Sequence, residues 1–376
     1  MKVLVVFTYG YSLKTWKESG TLNKELEIYH LLSNKYNINF TFITYGDEND
    51  TEIEISNSKF SVLPVYKNVK LFKSKLLNFI VSFFIPIILY KKIDSLKEFD
   101  IIKQNQLMGS WVSLILKLLL KKPLFLRTGY DMYKFSKQDN KSKLKIFLYK
   151  LLTNVSFKYS DVYSVSNKTD FDTFTKDYPK QSEKLILRPN LISENLSKID
   201  NKRFEKNILC VGRLEMQKNF EFIIQEFKNS DYIIDLVGEG SQKEYLMSLA
   251  YKNNVKINFF GRLENEVLNN MYQKYKYFIN ASLFEGNPKT VLEALSNGCI
   301  VFVSNIPNHS EIITNKINGY IFELENTSLI STFKNRNFDL DDIISNNAAL
   351  LINQKYSLDT GAEIEHDDYK KLVGYH

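Results

Sequence analysis

Apolar runs of strand length alternate with helix-length amphipathic segments along almost the whole chain, and this alternation predicts an α/β organisation. In the first half, strands are expected at 3–8, 39–44, 101–104, 124–127, 162–165 and 184–187. Helices are expected at 22–35, 76–92, 109–121, 142–159 and 168–176. The pattern breaks at Arg188-Pro189-Asn190, and a polar stretch, SENLSKIDNKRFEKN, leads to a fresh strand at 208–211. Beyond it, strands at 232–237, 256–260, 277–281, 300–304 and 319–322 alternate with helices at 218–228, 242–253, 265–275, 289–297 and 309–314. A helical tail begins near Asp339. Two successive α/β units are therefore predicted, at 1–190 and 200–354, with a helix over about 355–376 that can pack back on the first.

Composition adds boundaries to this picture. With 376 residues, 44% of them hydrophobic, the chain can bury one or two substantial cores. Its two cysteines, Cys210 and Cys299, fall in or beside predicted strands, which argues against a disulfide framework and for a reducing compartment. The start, MKVLVVFTYG, reads as a first strand and not as a signal peptide. The longest apolar segment, LLNFIVSFFIPIILY at 76–90, is shorter than the roughly 18 residues of a membrane span, and Asn78 and Pro86 interrupt it. Lys70, Lys73 and Lys75 beside Phe79, Phe83, Phe84 and Tyr90 would suit an anionic membrane surface, but a buried helix of the first core is the preferred reading.

The net charge of +7 is uneven: residues 1–190 hold 30 Lys and Arg against 18 Asp and Glu, and the remainder holds 20 against 25. A basic first half fits an anionic partner, and a solvated lysine-rich surface carries equal weight. A nucleic-acid partner finds no reading motif. No strand is followed by Gly-x-Gly-x-x-Gly, and there is no Walker loop or Gly-x-Ser-x-Gly, so dinucleotide, P-loop and serine-nucleophile chemistry have no support. The four histidines, His30, His309, His366 and His376, lack metal-ligand spacing.

The chemistry concentrates in NASLFEGNPKTVLEALSNGCIVFVSNIPNHSE, residues 280–311, which reads as strand, loop, helix and strand. A helix starting near Lys289 would present unpaired N–H groups and a positive dipole end to an anion. Glu285 and Glu293 bracket that start, one in the loop and one about a turn inside the helix, where carboxylates suit sugar or ribose hydroxyls. Upstream, VGRLEMQKNF places Arg213 and Lys218 on the loop after a strand, at the edge where open α/β sheets bind ligands. A guanidinium fork and a compact ammonium together suit a diphosphate; a solvated surface pair is the plainer alternative. Val237-Gly238-Glu239-Gly240 and Gly261-Arg262-Leu263 are turns after strands, either tight connections or surfaces for a flat base. Gly20-Thr21 near the N-terminus is either an anion site at a helix start or a glycine that permits a turn. His309 follows a strand, as a substrate contact or, more simply, part of a helix start.

In order and content these residues resemble the retaining glycosyltransferases of family 4. EGNPKTVLEALSNG is similar to that family's Glu-x7-Glu signature and VGRLEMQKN to its Gly-Arg-Leu…Lys motif, while VGEG, FFGRL, FVSNIPNHSEII and RPNLI fall in the family's order. The likeness covers about residues 185–325. It implies a GT-B fold, two Rossmann-like parallel-sheet domains facing each other across a cleft. It implies transfer of a sugar from a nucleotide-diphosphate donor to a glycan or lipid-linked glycan acceptor, with retention, in bacterial surface polysaccharide synthesis such as O-antigen or capsule. Arg213 and Lys218 would stabilise the leaving diphosphate. Glu285 would contact the sugar, helped by the backbone of Gly286, Asn287, Pro288, Lys289, Thr290 and Val291. Glu293 would hold the ribose, Gly261, Arg262 and Leu263 would flank the base, and Gly20 would line the donor side from the first domain. Neither cofactor nor metal is implied, and nucleic acid is not a partner. The family's first-domain histidine has no counterpart in LFLRTGYDMYKF, where Arg127 and Asp131 are candidates for the acceptor side. The location implied is cytoplasmic, peripheral on the inner face of the membrane. The alternative is a GT-B protein that binds nucleotide sugars or glycans without catalysis.

Overall fold

The protein is described here by a computed structural model covering residues 1–193 and 203–374; most of the predicted polar linker, and His376, lie outside the described residues. The chain divides into two compact units, Met1–Pro189 with Gly361–His376, and Asn190–Thr360. The second unit thus starts earlier and ends later than the sequence pattern predicts.

The first unit holds seven strands: β1 (Lys2–Val6), β2 (Asn39–Thr44), β3 (Phe60–Pro64), β4 (Ile101–Asn105), β5 (Leu124–Arg127), β6 (Val162–Val165) and β7 (Leu185–Leu187). They form one parallel sheet in the order β3-β2-β1-β4-β5-β6-β7, so β1 pairs β2 on one side and β4 on the other. Helices cover both faces, and Val3 to Phe7 is entirely buried. A strand buried on both faces needs a continuous apolar run, which is why VLVVF shows no alternation.

The C-terminal helix Leu358–Val373 returns to this unit from far along the chain. Ala362 and Tyr369 join its core, Arg188 clasps Asp368 through two donors at 2.6 and 2.7 Å, and the buried Lys103 of β4 pairs with Glu365. Tyr29 and Tyr369 place their rings against the same ammonium, at 4.9 and 5.9 Å.

The second unit holds β8 (Phe204–Val211), β9 (Ile233–Val237), β10 (Lys256–Gly261), β11 (Tyr275–Asn280), β12 (Ile300–Ser304) and β13 (Tyr320–Phe322), again all parallel, in the order β10-β9-β8-β11-β12-β13. Separate apolar clusters lie on its two faces. In each sheet the strand order reverses once, between β1 and β4 in the first and between β8 and β11 in the second. Loops at such a switch point diverge and leave a crevice beyond the carboxyl ends of the strands.

Three local differences from the sequence pattern have physical causes. β3 (FSVLP) sits between polar residues and a proline, too short a signal for a strand. The run predicted as one helix at 76–92 is two, Lys75–Ser82 and Ile85–Lys92, broken where Pro86 opens the second. The loop after β1 contains a helix, Leu13–Glu18, started by a reciprocal pair of hydrogen bonds between Ser12 and Thr15.

Candidate functional site

The loops after β8 and β11 flank the switch point of the second sheet, and between them they carry Arg213, Lys218 and Glu285. Their shape is fixed mainly by backbone. The N–H of Gly212 donates to Val237 at 3.0 Å, that of Leu214 to Glu239 at 2.9 Å, and that of Gly238 to Gly261 at 2.8 Å, which laces the loops after β8, β9 and β10 together. Gly238 has φ of 147°, and a Cβ there would lie 1.8 Å from the Gly212 carbonyl oxygen, so this lacing requires glycine. A second set of bonds crosses to the loop after β11: Leu283 N–H donates to the Gln217 carbonyl at 2.9 Å, and Gln217 Nε2 donates to the Phe284 carbonyl at 2.8 Å.

Those crossings set the Lys218 ammonium directly on a carboxylate oxygen of Glu285. Ser282 donates its hydroxyl to that same oxygen at 2.7 Å. Both members of the pair are largely buried. Burial alone would push the Glu285 carboxyl up; the Lys218 charge and the hydrogen bonds from Lys218 and Ser282 outweigh it and hold the carboxyl below its usual range. Glu285 is therefore an anion held in place from two sides. Lys218 uses one donor on it, and an ammonium has three.

Behind the pair lies His309, fully buried in the short helix Pro307–Ser310. Its Nδ1–H donates to the Ser304 carbonyl at 2.9 Å, and its Nε2 has no hydrogen-bond partner. Burial pushes its pKa down to about 4, so it is a neutral imidazole near pH 7. Ser304 also donates its hydroxyl to the Ser282 carbonyl at 2.6 Å, so β12 braces the residue that holds Glu285. His309 thus belongs to the wall of the site and is not an exposed contact. Ser282, Gln217 and Ser304 had no part in the motif reading; the one signal for Ser282 was a hydroxyl three residues before Glu285.

Arg213 is exposed, with one guanidinium nitrogen 3.4 Å from Gln217 Oε1. The helix Lys289–Ser296 begins at Pro288 with no side chain capping it and no acidic residue in its first turn. Gly286, Asn287 and Pro288 form the turn before it. Asn287 is fixed by Asn190, whose N–H reaches its side-chain oxygen at 2.9 Å and whose side-chain amide reaches its carbonyl at 2.7 Å. Thr290 and Val291 lie in the first turn.

Glu293, one turn further on, is buried, and the Tyr272 hydroxyl donates to it at 3.2 Å. Tyr272 belongs to the helix Asn265–Lys274 that follows Gly261, Arg262 and Leu263. Glu293 is thereby coupled to the element downstream of the turn expected to meet the base.

Three candidates belong to the first unit. Gly20 has φ of 66° and closes the helix Leu13–Glu18: its N–H donates to Lys17 and that of Thr21 to Trp16, the paired bonds of a glycine-terminated helix. Of the two readings of Gly20, the turn has direct geometric support. Arg127, at the carboxyl end of β5, donates to the Pro189 carbonyl at 3.1 Å. Asp131 caps the helix Met132–Gln138 through the N–H groups of Tyr133 and Lys134, and burial followed by the neighbouring Asp170 pushes its pKa up to about 6. Its cap role is structural. Among the described residues no group of three or more His, Cys, Asp or Glu side chains could hold a metal ion.

Residues 193–332, the span that carries all of these loops, match the family model described as glycosyl transferases group 1. The matched span lies wholly within the second unit. The chain is 28% identical, over 43% of its length and 45% of the relative's, to a Campylobacter jejuni GalNAc-alpha-(1->4)-GalNAc-alpha-(1->3)-diNAcBac-PP-undecaprenol alpha-1,4-N-acetyl-D-galactosaminyltransferase. It is 25% identical, over 81% of both chains, to an Escherichia coli UDP-Gal:alpha-D-GlcNAc-diphosphoundecaprenol alpha-1,3-galactosyltransferase. The matches to the first curated relatives span less than half of those proteins' lengths. Its fold is similar over the whole chain to sucrose-phosphate synthase from Thermosynechococcus elongatus, with a TM-score of 0.79 at 12% identity. The two parallel-sheet units described above are those of a GT-B fold.

Proposed function

We propose that the chain transfers a sugar from a nucleoside-diphosphate donor to a hydroxyl of a lipid-diphosphate-linked glycan, with retention at the anomeric carbon, in bacterial surface polysaccharide synthesis. The observation that carries this reading is the Lys218–Glu285 pair, braced by Ser282 at the switch point of a group 1 glycosyltransferase domain, with Arg213 exposed on the same loop. Glu285 is ionised and oriented before any ligand arrives, as an acceptor of sugar hydroxyls needs to be. The remaining Lys218 donors, the Arg213 fork and the uncapped helix start supply positive charge where a departing diphosphate would gather negative charge, and fixed charges of this kind need no reorganisation during reaction. In this reading Glu293 holds the ribose, oriented by Tyr272, and Gly261, Arg262 and Leu263 flank the base. No metal takes part, so a chelator leaves the rate unchanged.

The relatives' names support the acceptor class, since two of them act on glycans linked through a diphosphate to undecaprenol. The test is turnover of a panel of nucleotide sugars by the intact protein, Arg213→Ala and Glu285→Gln. Either variant should lose at least about 100-fold in rate, the magnitude typical of removing one group that stabilises developing charge. Near-normal turnover in both would refute the assignment. Retention is tested separately, by the anomeric configuration of the product in NMR.

A further inference from the structure

Glu285 is held at the end of a run of hydrogen bonds that starts outside its own loop, on the short helix Pro307–Ser310 after β12. Proline at the first position suits that helix, because the N–H it lacks would have no partner there. The turn into the helix is tight: Ile306 N–H donates back to the Ser304 carbonyl at 2.9 Å. His309 brings a second donor to the same carbonyl, Nδ1 at 2.9 Å. A carbonyl oxygen only accepts, so the proton is on Nδ1 and Nε2 carries the lone pair.

The next links cross to the loop after β11. The Ser304 hydroxyl donates to the Ser282 carbonyl at 2.6 Å, and the Ser282 N–H donates to Asn280 Oδ1 at 3.0 Å. With its backbone fixed from both sides, Ser282 aims its hydroxyl at Glu285, 2.7 Å away, on the same carboxylate oxygen that Lys218 meets. His309, Ser304 and Ser282 are wholly buried, so water does not compete for these bonds.

Packing alone does not account for a histidine here. Its Nε2 is buried without a donor, and a buried acceptor left unpaired is costly, so an aliphatic side chain would be the cheaper filler. Burial keeps the ring neutral near pH 7, against the pull of the Glu285 charge. What the ring gives the site is one fixed donor on the last residue of β12.

We propose that His309 is a positioning residue for the transfer: through Ser304 and Ser282 it sets where the Glu285 carboxylate stands, without touching substrate itself. Its part in turnover rests on the transferase reading, while the run of hydrogen bonds does not. The scale of the effect is set by geometry, since a misplacement of about 1 Å in a reacting site can cost on the order of 100-fold in rate.

The test compares the intact protein with His309→Leu, His309→Asn and Ser282→Ala. An asparagine amide nitrogen can stand where Nδ1 does, so asparagine restores the donor and leucine only the bulk. With the nucleotide-sugar panel, His309→Leu should lower kcat by at least about tenfold while the donor KM changes by less than about threefold. His309→Asn should recover most of that loss, whatever either change does to the melting temperature. Ser282→Ala cuts the last link, so His309→Leu/Ser282→Ala should be no slower than the slower single variant. Losses that multiply, or a His309→Asn variant as slow as His309→Leu, overturn the proposal.

Two NMR measurements need no turnover. Ring 15N shifts should show a protonated Nδ1 and a bare Nε2 at pH 7, and the opposite tautomer overturns the proposal. The 13C carboxyl signal of Glu285, assigned with Glu285→Gln, should move in His309→Leu as it does in Ser282→Ala and return in His309→Asn. If the signal behaves so while no nucleotide sugar is turned over, the transferase reading falls and the positioning of Glu285 by His309 stands. If sugar is turned over and the signal ignores His309, the transferase stands and the proposal falls.

Discussion

Each unit buries a lysine–glutamate pair, and the two pairs do different work. Lys103–Glu365 lies inside the first unit, walled by Tyr29 and Tyr369, with the lysine side chain 2% exposed. Its partners stand 262 residues apart, and what they join is the returning C-terminal helix to the sheet. Lys218–Glu285 lies at a loop edge, with an exposed arginine on one side and an imidazole nitrogen without a partner behind. The pair enclosed by rings and helix has no route to a ligand, whereas the pair at the switch point has one. Chemistry that looks alike in a list of ion pairs is separated by its position relative to the carboxyl ends of the strands.

Removing one partner from each pair tests that contrast most strongly. Lys103→Met leaves Glu365 ionised without its cation in a buried site, and such changes cost about 3–5 kcal/mol. Urea unfolding should show this loss, and limited proteolysis should show the chain beyond Gly361 released first. Lys218→Met should cost less stability, because its site reaches the surface, but it should lower turnover by about 100- to 1,000-fold. If Lys218→Met unfolds the protein as readily as Lys103→Met does, the edge pair is architectural too and the distinction fails. Arg213→Ala isolates the chemistry further: an exposed side chain contributes little to folding, so its melting temperature should stay within about a degree or two while turnover falls by about 100-fold.

How much of this contrast was legible in the sequence follows from the range of the forces involved. Arg213, Lys218, Glu285 and Glu293 stand beside glycines and strand ends, and local pattern placed them correctly on loops and a helix start. What local pattern could not supply was partnership. Nothing near Lys103 marks it as the mate of Glu365, and Ser282, Gln217 and Ser304 are ordinary polar residues until the sheet brings their loops together. The largest error of the sequence reading was to bury the whole of the helix expected at 76–92: Ile85 and Leu89 join the first core, but Leu76, Leu77, Ile80 and Phe84 face solvent. An apolar run reads as core by default, and only the three-dimensional arrangement shows which of its side chains the core takes. The missed helix Leu13–Glu18 had a local signal, Ser12 and Thr15, in a loop too rich in turn residues to attract a helix assignment.

The pH dependence of stability sharpens the comparison in a different way, because each unit holds one buried group shifted in the direction opposite to the other's. His309 behind the edge pair has its folded pKa depressed to about 4 from 6.5. In that window the unfolded chain binds a proton that the folded one does not, so stability is fully present above about pH 6.5 and is lost as pH falls toward 4. The loss is at most about 3 kcal/mol, and His309→Asn should flatten it in urea midpoints measured from pH 7 to pH 4.5. An unchanged slope in that variant would show that the imidazole is not the group responsible.

Asp131 in the first unit gives the smallest effect and the opposite sign. Its folded pKa is raised to about 6 from 3.8 by burial and by Asp170, so here the folded state holds the proton more tightly. Its contribution is present below about pH 4 and is lost as pH rises through 6, when two buried carboxylates face each other across one helix start. Asp131→Asn keeps an oxygen that can accept from Tyr133 and Lys134, because asparagine caps helices about as well as aspartate. It removes only the charge. The variant should therefore match wild type near pH 4 and exceed it by at most about 3 kcal/mol at pH 8, a difference read directly from paired urea titrations. A variant less stable than wild type at pH 8 would mean that the ionised carboxylate is worth more to the cap, and to Lys134 beside it, than its repulsion from Asp170 costs.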